Sequence, residues 1–377
     1  MTDVFIISAV RTPIGVGKPG GALSGIPPVD LMARTLCAVV ERAGVEPGIV
    51  QDVALGCVSP VGEQGANIAR LAALKAGFPV EVPAFTLNRM CGSSQQALHS
   101  AAQAIAAGDM EVVIAGGVEV MSRVPLGADW PTEWPADFPY PLVHQGISAE
   151  RVAERWGLTR EKLDDFAYES HARAGAATRE GRFTRELLPI TVADGRTVTA
   201  DDGIRLNPDR AKMAALKPVF KAEGVITAGN SSQISDGASA VVLASEAAVT
   251  RHRLTPRAVI RARVVVGSDP VLMLTGPIPA TQQALKKAGL TLADMDVIEV
   301  NEAFASMVLA WQAETGADLS RVNPNGGAIA LGHPLGASGA RLMTTLLHEL
   351  ERRNARFGLQ TMCIGHGMAT ATIIERL

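Results

Sequence analysis

The strongest constraint on the fold is an internal repeat at an offset of about 245 residues. A helix-like stretch followed by an apolar run occupies residues 43–55, and the same order recurs at 288–300. Each copy follows a glycine and proline signal, at 25–28 in the first copy and at 276–279 in the second. Short β-branched runs alternate with alanine-rich helical stretches in both copies. We therefore predict an α/β fold of two duplicated halves that share one site.

The region between residues 121 and 230 has no counterpart in the second copy. It opens with a Trp- and Pro-rich stretch at 130–135. Its later part predicts an amphipathic helix from Ser148 to Trp156 and a second helix from the cap residue Thr159 to about Gly181. An insertion of this size is large enough to act as a lid or as a ligand-binding subdomain. The predicted domains are an N-terminal half at 1–120 plus 231–250, an inserted loop domain at 121–230 and a C-terminal half at 251–377.

Composition and charge exclude several classes of function. The chain has 377 residues, of which 47% are hydrophobic and 19% charged, and its formal net charge is −3. That charge gives no general attraction to nucleic acid or to an anionic membrane, so an anionic ligand needs a local basic cluster. The four cysteines show no C-x-x-C spacing, and they predict neither a disulfide framework nor a metal site. A reducing compartment fits this pattern.

No targeting segment is predicted. The chain runs from Met1 into a strand-like stretch without a basic leader, and it contains no apolar run of transmembrane length. It ends in Ile374-Glu375-Arg376-Leu377, which is not a peroxisomal tripeptide. We therefore expect a cytoplasmic protein with no membrane insertion.

Cys91 is the first candidate for chemistry. It follows an extended run at 83–87 and precedes a predicted helix from Ser94 to Ala107. A thiol at a helix N-terminus lies at the positive end of the helix dipole, and we expect this position to lower its pKa and favour the thiolate. The alternative is a buried structural cysteine, which is the commoner role of a lone cysteine.

Two further candidates lie in glycine-rich turns. His333 is surrounded by Gly326, Gly327, Gly332 and Gly336, so it sits where backbone approaches closely, and an imidazole there could activate a thiol or donate to an oxyanion. The alternative is a turn histidine that hydrogen-bonds backbone.

Cys363 lies at the end of a predicted strand, before Gly365 and Gly367. It could be a resolving cysteine, a metal ligand or a general base, and only its pairing with His333 favours the base.

A polar pair ends the predicted strand from Val297 to Val300. Asn301 and Glu302 could orient a water molecule there, or they could cap the helix that follows. Taken alone, the cap is the favoured interpretation.

Taken together, these motifs make the chain similar to the thiolase family over almost its full length. The matching segments follow in family order: Val10-Arg11-Thr12-Pro13-Ile14-Gly15, Asn301-Glu302-Ala303-Phe304, Gly332-His333-Pro334 and Cys363-Ile364-Gly365. The resemblance implies the thiolase fold, in which two βαβαβαββ halves form a five-layer αβαβα sandwich and a loop domain is inserted in the N-terminal half. This agrees with the repeat and the insertion.

The resemblance also implies catalytic roles. Cys91 matches the nucleophile that becomes acylated, and His333 matches the residue that activates it and donates to the thioester oxygen. Cys363 matches the acid and base at the substrate α-carbon. Asn301 matches the residue that holds a water in one oxyanion hole, and the backbone N–H groups of Cys91 and Gly365 match the other.

Coenzyme A is the co-substrate that the resemblance implies, with no permanently bound cofactor and no metal. Ser232 and Ala228 match residues that face the pantetheine. His144 matches a histidine that contacts CoA in short-chain thiolases, and Arg205 matches a position near the nucleotide phosphates. The implied partners are acyl-CoA, 3-ketoacyl-CoA and CoA, with a homodimer or a dimer of dimers as the assembly.

The sequence departs from the family pattern at several positions. His366 and Ala369 stand where glycine is usual. Gln145 and Lys212 stand where acetoacetyl-specific enzymes resemble one another in having methionine and serine. The stretch from Met121 to His144 is shorter than in the tetrameric biosynthetic type, which puts the tetramerisation loop in doubt.

The function expected from these features is a degradative CoA-dependent thiolase, an acyltransferase that cleaves 3-ketoacyl-CoA through an acyl-cysteine. A biosynthetic acetoacetyl-CoA thiolase is the nearest alternative. A ketoacyl synthase usually pairs its cysteine with two histidines, and Cys363 and Asn301 argue against it. A non-catalytic carrier of acyl-CoA or lipid should lack part of the set, which this chain keeps.

Overall fold

The computed structural model describes residues 3–377, so Met1 and Thr2 of the predicted first strand lie outside the described residues. Within that range the chain forms twelve strands. They are β1 Val4–Arg11, β2 Gly15–Val16, β3 Asp52–Gly56, β4 Ala84–Leu87, β5 Val112–Val120, β6 Ile190–Thr191, β7 Thr197–Val198, β8 Ser235–Ser245, β9 Ala258–Gly267, β10 Val297–Val300, β11 Phe357–Ile364 and β12 Met368–Arg376.

Eleven α-helices lie in the same described range. They are α1 Pro28–Ala43, α2 Ile68–Lys75, α3 Ser93–Ala107, α4 Gln145–Arg155, α5 Arg160–Arg179, α6 Arg210–Ala214, α7 Glu246–His252, α8 Pro277–Ala288, α9 Ala305–Thr315, α10 Ala328–Leu331 and α11 Ser338–Arg353. None of the helices within residues 3–377 is both long and apolar enough to cross a membrane.

The strand order confirms the duplication. One half of the sheet runs β1-β8-β5-β3-β4, and the other runs β9-β12-β11-β10, so β9, β12, β11 and β10 occupy the places of β1, β8, β5 and β3. The pairing matches as well, because β3 pairs with β5 and β10 pairs with β11 in parallel. Within the sheet formed by the described residues, the two halves pair where Phe5 faces Val259 and Ile6 faces Ala258 on β1 and β9.

The helices complete the predicted five layers. α3 and α11 lie between the two halves of the sheet, where Leu98 and Met343 share a core cluster with Val113 of β5 and Val297 of β10. α1 and α2 cover the outer face of the N-terminal half, and α8 and α9 cover that of the C-terminal half. Because each half of the sheet is buried on both faces, strands such as β5 and β8 are almost continuously apolar.

The insertion between β5 and β8 carries α4, α5 and α6. Helix α5 begins at Arg160, where the Thr159 hydroxyl accepts from the Lys162 N–H at 3.4 Å, which confirms the predicted cap. Helix α4 begins at Gln145 rather than at the predicted Ser148. The reason is a cap that the sequence did not suggest, in which His144 Nδ1 accepts from the Gly146 N–H at 3.1 Å.

Candidate active site

The turn between β4 and α3 presents Cys91. Met90 has a φ of +46°, in the left-handed region that non-glycine residues seldom adopt. Two side chains hold this turn, since Asn88 Oδ1 accepts from the Met90 N–H at 2.8 Å and Ser93 Oγ donates to the Met90 carbonyl at 2.6 Å. The backbone at Cys91 is therefore fixed before any substrate binds.

The expectation that the helix end lowers the pKa of Cys91 is wrong for the folded protein. Burial raises the pKa of this thiol to about 11, because the thiolate would lose its hydration, while hydrogen bonds from the Gln145 side chain and the Gly365 N–H act in the opposite direction. The buried Gln145 Nε2 has no hydrogen-bond partner at normal distance among the described residues, and its amide dipole acts on this sulfur. Cys91 is thus a neutral thiol near pH 7 and needs a base.

The loop before α11 places His333 through a glycine that no other residue could replace easily. Gly332 has a φ of +109°, and a Cβ there would lie 2.4 Å from Ser235 Oγ. That hydroxyl accepts from the His333 N–H at 3.0 Å. The close approach of Ser235 therefore both requires glycine and fixes the histidine backbone.

The hydrogen bonds of His333 determine its tautomer. Ser338 Oγ donates its proton to the Pro334 carbonyl at 2.8 Å, so at 2.6 Å from His333 Nδ1 it must accept, and Nδ1 carries the hydrogen. Nε2 therefore carries no hydrogen, and its lone pair accepts from the Asn301 Nδ2 group at 3.3 Å. Burial, with a second contribution from the charge of Arg341, lowers the pKa of His333 to about 3. The imidazole is a neutral base near pH 7.

Asn301 and Glu302 do not cap the next helix, so that interpretation is wrong. α9 begins at Ala305 after Phe304 and has no side-chain cap. The Asn301 N–H donates to the Thr361 carbonyl at 3.1 Å, which holds Asn301 beside β11.

Glu302 is a buried structural carboxylate. It accepts from Ser170 Oγ at 2.6 Å, from Asn323 Nδ2 at 2.9 Å and from the Ile329 N–H at 3.2 Å. These bonds join the insertion to the loop that precedes His333.

Cys363 lies at the buried end of β11, next to Cys91. Burial raises its pKa, and the neighbouring Cys91 sulfur raises it further because two thiolates would repel each other. The loops themselves pack together: a Cβ on Gly92 would lie 2.3 Å from the Ile364 side chain, and Leu335 of the histidine loop packs against Cys91. Chain segments distant in sequence therefore form one buried centre.

Two of the four residues predicted to contact CoA, His144 and Ser232, lie close together. His144 is exposed and stacks on Phe220 with ring centroids 5.1 Å apart, and Phe220 meets Phe304 edge-on at 6.0 Å. Ser232 reaches the same place, because its N–H donates to the Ala303 carbonyl at 2.9 Å. His144 and Ser232 thus lie in one cluster beside the catalytic loop of Asn301.

The other two residues predicted to contact CoA, Ala228 and Arg205, are exposed. Ala228 is exposed, in the turn that leads to Ser232. Arg205 is exposed too, and its N–H donates to His171 Nδ1 at 3.2 Å. Among the described residues, no hydrogen bond or ion pair joins Arg205 to His144 or Ser232.

Sequence reasoning missed three residues of this site. Ser338 sets the tautomer of His333, and Phe220 supports His144. Gln145 stood out only as a departure from a family pattern, whereas the structure places its amide against the Cys91 sulfur. Ser338 lies five residues after His333, and nothing in the sequence analysis singled it out. Phe220 was not singled out either.

Comparison with known proteins agrees with this geometry. The family model "Thiolase, N-terminal domain" matches residues 4–247, and "Thiolase, C-terminal domain" matches residues 254–376. The chain is 50% identical to the steroid 3-ketoacyl-CoA thiolase FadA6 of Mycobacterium tuberculosis, with 100% of this chain and 95% of that protein covered. It is 48% identical to a 3-ketoacyl-CoA thiolase of Vibrio cholerae and 44% identical to an acetyl-CoA acetyltransferase of Cupriavidus necator, each covered in full. The chain belongs to the thiolase family of CoA-dependent acyltransferases.

Proposed function

We propose that this protein cleaves 3-ketoacyl-CoA with CoA to give acyl-CoA and acetyl-CoA, and that it works in the degradative direction. The observation that carries the proposal is the buried pair of neighbouring thiols, Cys91 and Cys363, in a chain that also buries the neutral imidazole of His333. The names of the 3-ketoacyl-CoA thiolases among its relatives support the same reaction.

In the first step His333 Nε2 takes the proton of Cys91, and the thiolate attacks the keto carbon. The protonated imidazole and the Asn301 side chain lie on one side of the reacting centre, and the N–H groups of Cys91 and Gly365 serve as the second oxyanion site. Loss of one such donor typically costs about 3–4 kcal/mol of transition-state stabilisation.

In the second step the bond between the α-carbon and the keto carbon breaks. Cys363 gives its proton to the α-carbon, so acetyl-CoA leaves and the acyl group stays on Cys91. The Cys363 thiolate then takes the proton of an incoming CoA thiol, whose sulfur attacks the acyl-cysteine. His333 returns its proton to Cys91 as acyl-CoA departs, which restores both thiols.

We assign CoA to the insertion at 121–230 and to the start of the segment 231–250, with which the N-terminal half at 1–120 resumes before the C-terminal half at 251–377. His144 and Ser232 would contact the pantetheine with Ala228, and the exposed guanidinium of Arg205 would face the nucleotide phosphates.

We also propose a cytoplasmic homodimer that pairs through β4. This strand ends the sheet, so among the described residues no strand pairs with its outer hydrogen-bonding edge. Thr86 faces α2, because it accepts from the Ala69 N–H, and Phe85 therefore faces the opposite side. Apolar side chains are exposed on both sides of this edge, at Leu71 and Leu74 of α2 and at Phe85 of β4.

The two thiols provide the test of the reaction. We expect Cys91→Ala to abolish covalent acylation by acetyl-CoA, measured by intact-protein mass. We expect Cys363→Ala to become acylated still, but to lose exchange of the α-proton in deuterated water and to lose thiolysis by at least about a thousandfold. Cys57→Ala, which changes a buried thiol outside the site, is the matched control.

Full thiolysis by Cys363→Ala would show that the base has been misassigned. The direction is tested by the same assay on 3-ketoacyl-CoA substrates of increasing length. A value of kcat/KM that falls steadily from acetoacetyl-CoA upward would favour the biosynthetic alternative.

A further inference from the structure

A segment rich in exposed aromatic side chains connects β5 to α4. We call residues 125–144 the aromatic arch; it contains neither helix nor strand. Six of its large apolar side chains are 37–54% exposed, namely Leu126, Trp130, Trp134, Phe138, Tyr140 and Leu142. Soluble proteins seldom concentrate exposed aromatic surface in this way unless it binds something.

The arch spans the two catalytic loops. Gln145 follows it directly and lies against the Cys91 sulfur. In its middle, the Trp134 ring meets the His366 ring edge-on, with centroids 6.1 Å apart and an interplanar angle of 64°. His366 in turn follows Gly365, whose N–H reaches the same sulfur, and consecutive Cα atoms are only about 3.8 Å apart. The arch therefore borders the space in which an acyl group on Cys91 would lie.

His366 occupies a backbone position that suits glycine. Its φ is +61°, in the turn that joins β11 to β12 just after Cys363. A side chain in the left-handed region carries a conformational cost that glycine avoids. The imidazole is exposed, so it gains no core packing, and the contact that it does make is with Trp134. The contact thus joins His366, which stands where glycine is usual in the family, to Trp134 of the aromatic arch.

We propose that Trp134 and His366 together recognise the distal part of the acyl group and select 3-ketoacyl-CoA substrates that carry a ring. The proposal rests on the thiolytic function proposed above. The Trp134 side chain is 46% exposed despite this contact, so indole surface remains available on which a flat or puckered ring could pack. A ring also has few rotatable bonds, so it loses less conformational entropy on binding than a flexible chain of equal carbon number.

The test compares two substrates in steady-state thiolysis: a 3-ketoacyl-CoA with a terminal cyclohexyl ring and its straight-chain counterpart of equal carbon number. We expect Trp134→Leu to lower the ratio of kcat/KM for ring over chain by about 5- to 20-fold. We expect His366→Gly to lower it in the same direction, and to have no further effect in the Trp134→Leu background. Turnover of acetoacetyl-CoA should stay unchanged, because its acyl group is too short to reach the arch.

Trp130→Leu is the matched control, since Trp130 lies in the same arch but packs over Gly127. The proposal is overturned if the ratio is unchanged in Trp134→Leu, or if Trp130→Leu lowers it equally. A Trp134→Leu variant that changes the particle mass in light scattering while keeping the ratio would assign the arch to a second copy of the chain instead. If the unmodified protein does not catalyse thiolysis, both the proposed function and this inference are contradicted. If it does, and Trp134→Leu leaves the ratio unchanged, only the role of the arch is contradicted.

Discussion

At the scale of single residues, the protonation of His333 depends on a hydroxyl that does not touch the substrate. Ser338 accepts from Nδ1 and donates to the Pro334 carbonyl, which leaves Nε2 as the base. Without that acceptor the Nδ1 hydrogen would be buried and unpaired, and the other tautomer would gain population. Ser338 is thus a positioning residue for the imidazole.

We expect Ser338→Ala to slow acylation of Cys91 by about 10- to 100-fold, because fewer molecules hold Nε2 in its basic form. The measurement is the single-turnover rate of acylation by acetyl-CoA as a function of pH. A tautomer effect should lower the plateau of that profile and leave KM nearly unchanged.

Thr344→Val is the matched control on the same helix. Thr344 Oγ1 donates to the Ala340 carbonyl as Ser338 Oγ does to Pro334, but it does not contact His333. Equal losses in the two variants would assign the effect of Ser338→Ala to helix α11 rather than to the imidazole.

At the scale of elements, buried polar side chains join α3, which follows Cys91, to β12, which follows Cys363. Gln95 Nε2 of α3 donates to Thr372 Oγ1 of β12 at 2.7 Å, and Thr370 Oγ1 donates to Gln95 Oε1 at 2.7 Å. His99 Nε2 lies 2.8 Å from Thr372 Oγ1. These bonds align α3 with β12, and through them the loops that carry the two thiols.

This contact makes stability depend on pH with a definite sign. Burial, and secondarily the charge of Arg263, lowers the pKa of His99 from 6.5 to about 3. The unfolded chain binds a proton there below pH 6.5, and the folded protein does not. The contribution of His99 to stability is therefore complete above pH 6.5 and is lost as the pH falls toward 3, by on the order of 1 kcal/mol per pH unit.

We expect His99→Gln to be less stable than the unmodified protein at pH 7.5, by about 1–2 kcal/mol, and to lose less stability on acidification. Urea unfolding between pH 7.5 and pH 5 measures the difference. Other buried histidines, such as His333, titrate in both proteins and cancel in the comparison. Parallel stability curves across this pH range would contradict the assignment.

At the scale of the whole molecule, the edge strand β4 is the interface that we propose for a homodimer. The sheet ends there, and Phe85 is 38% exposed on it. Pairing of two β4 strands would satisfy their free backbone groups and bury the apolar side chains beside them. Since β4 leads directly into the turn of Cys91, such an interface would also support the active site.

We expect Phe85→Lys to shift the protein from dimer toward monomer, because like charges would face each other across a twofold axis. Sedimentation at several concentrations measures the change. Val265→Lys is the matched control, as Val265 is 39% exposed on the interior strand β9. A Phe85→Lys protein with the mass of the unmodified one would exclude β4 as the interface.

The sequence by itself predicted the duplication, which the strand order confirms, and it proposed the insertion and the candidate residues of the site. The strand from Val297 to Val300 and the cap at Thr159 were predicted as they occur, since short-range patterns of apolar spacing and capping encode them. The glycine-rich turns around Cys91, His333 and Cys363 were visible because close backbone approach requires glycine at particular positions.

Only the tertiary structure decided the protonation and the partners of those groups. The pKa of Cys91 is raised rather than lowered, because burial by distant segments outweighs the local helix end. Glu302 is bound by Ser170 and Asn323 instead of capping α9, and Gln145 lies against a sulfur far from it in sequence. Desolvation and hydrogen bonding depend on which segments pack together, and that information is not contained in the local pattern around any one residue.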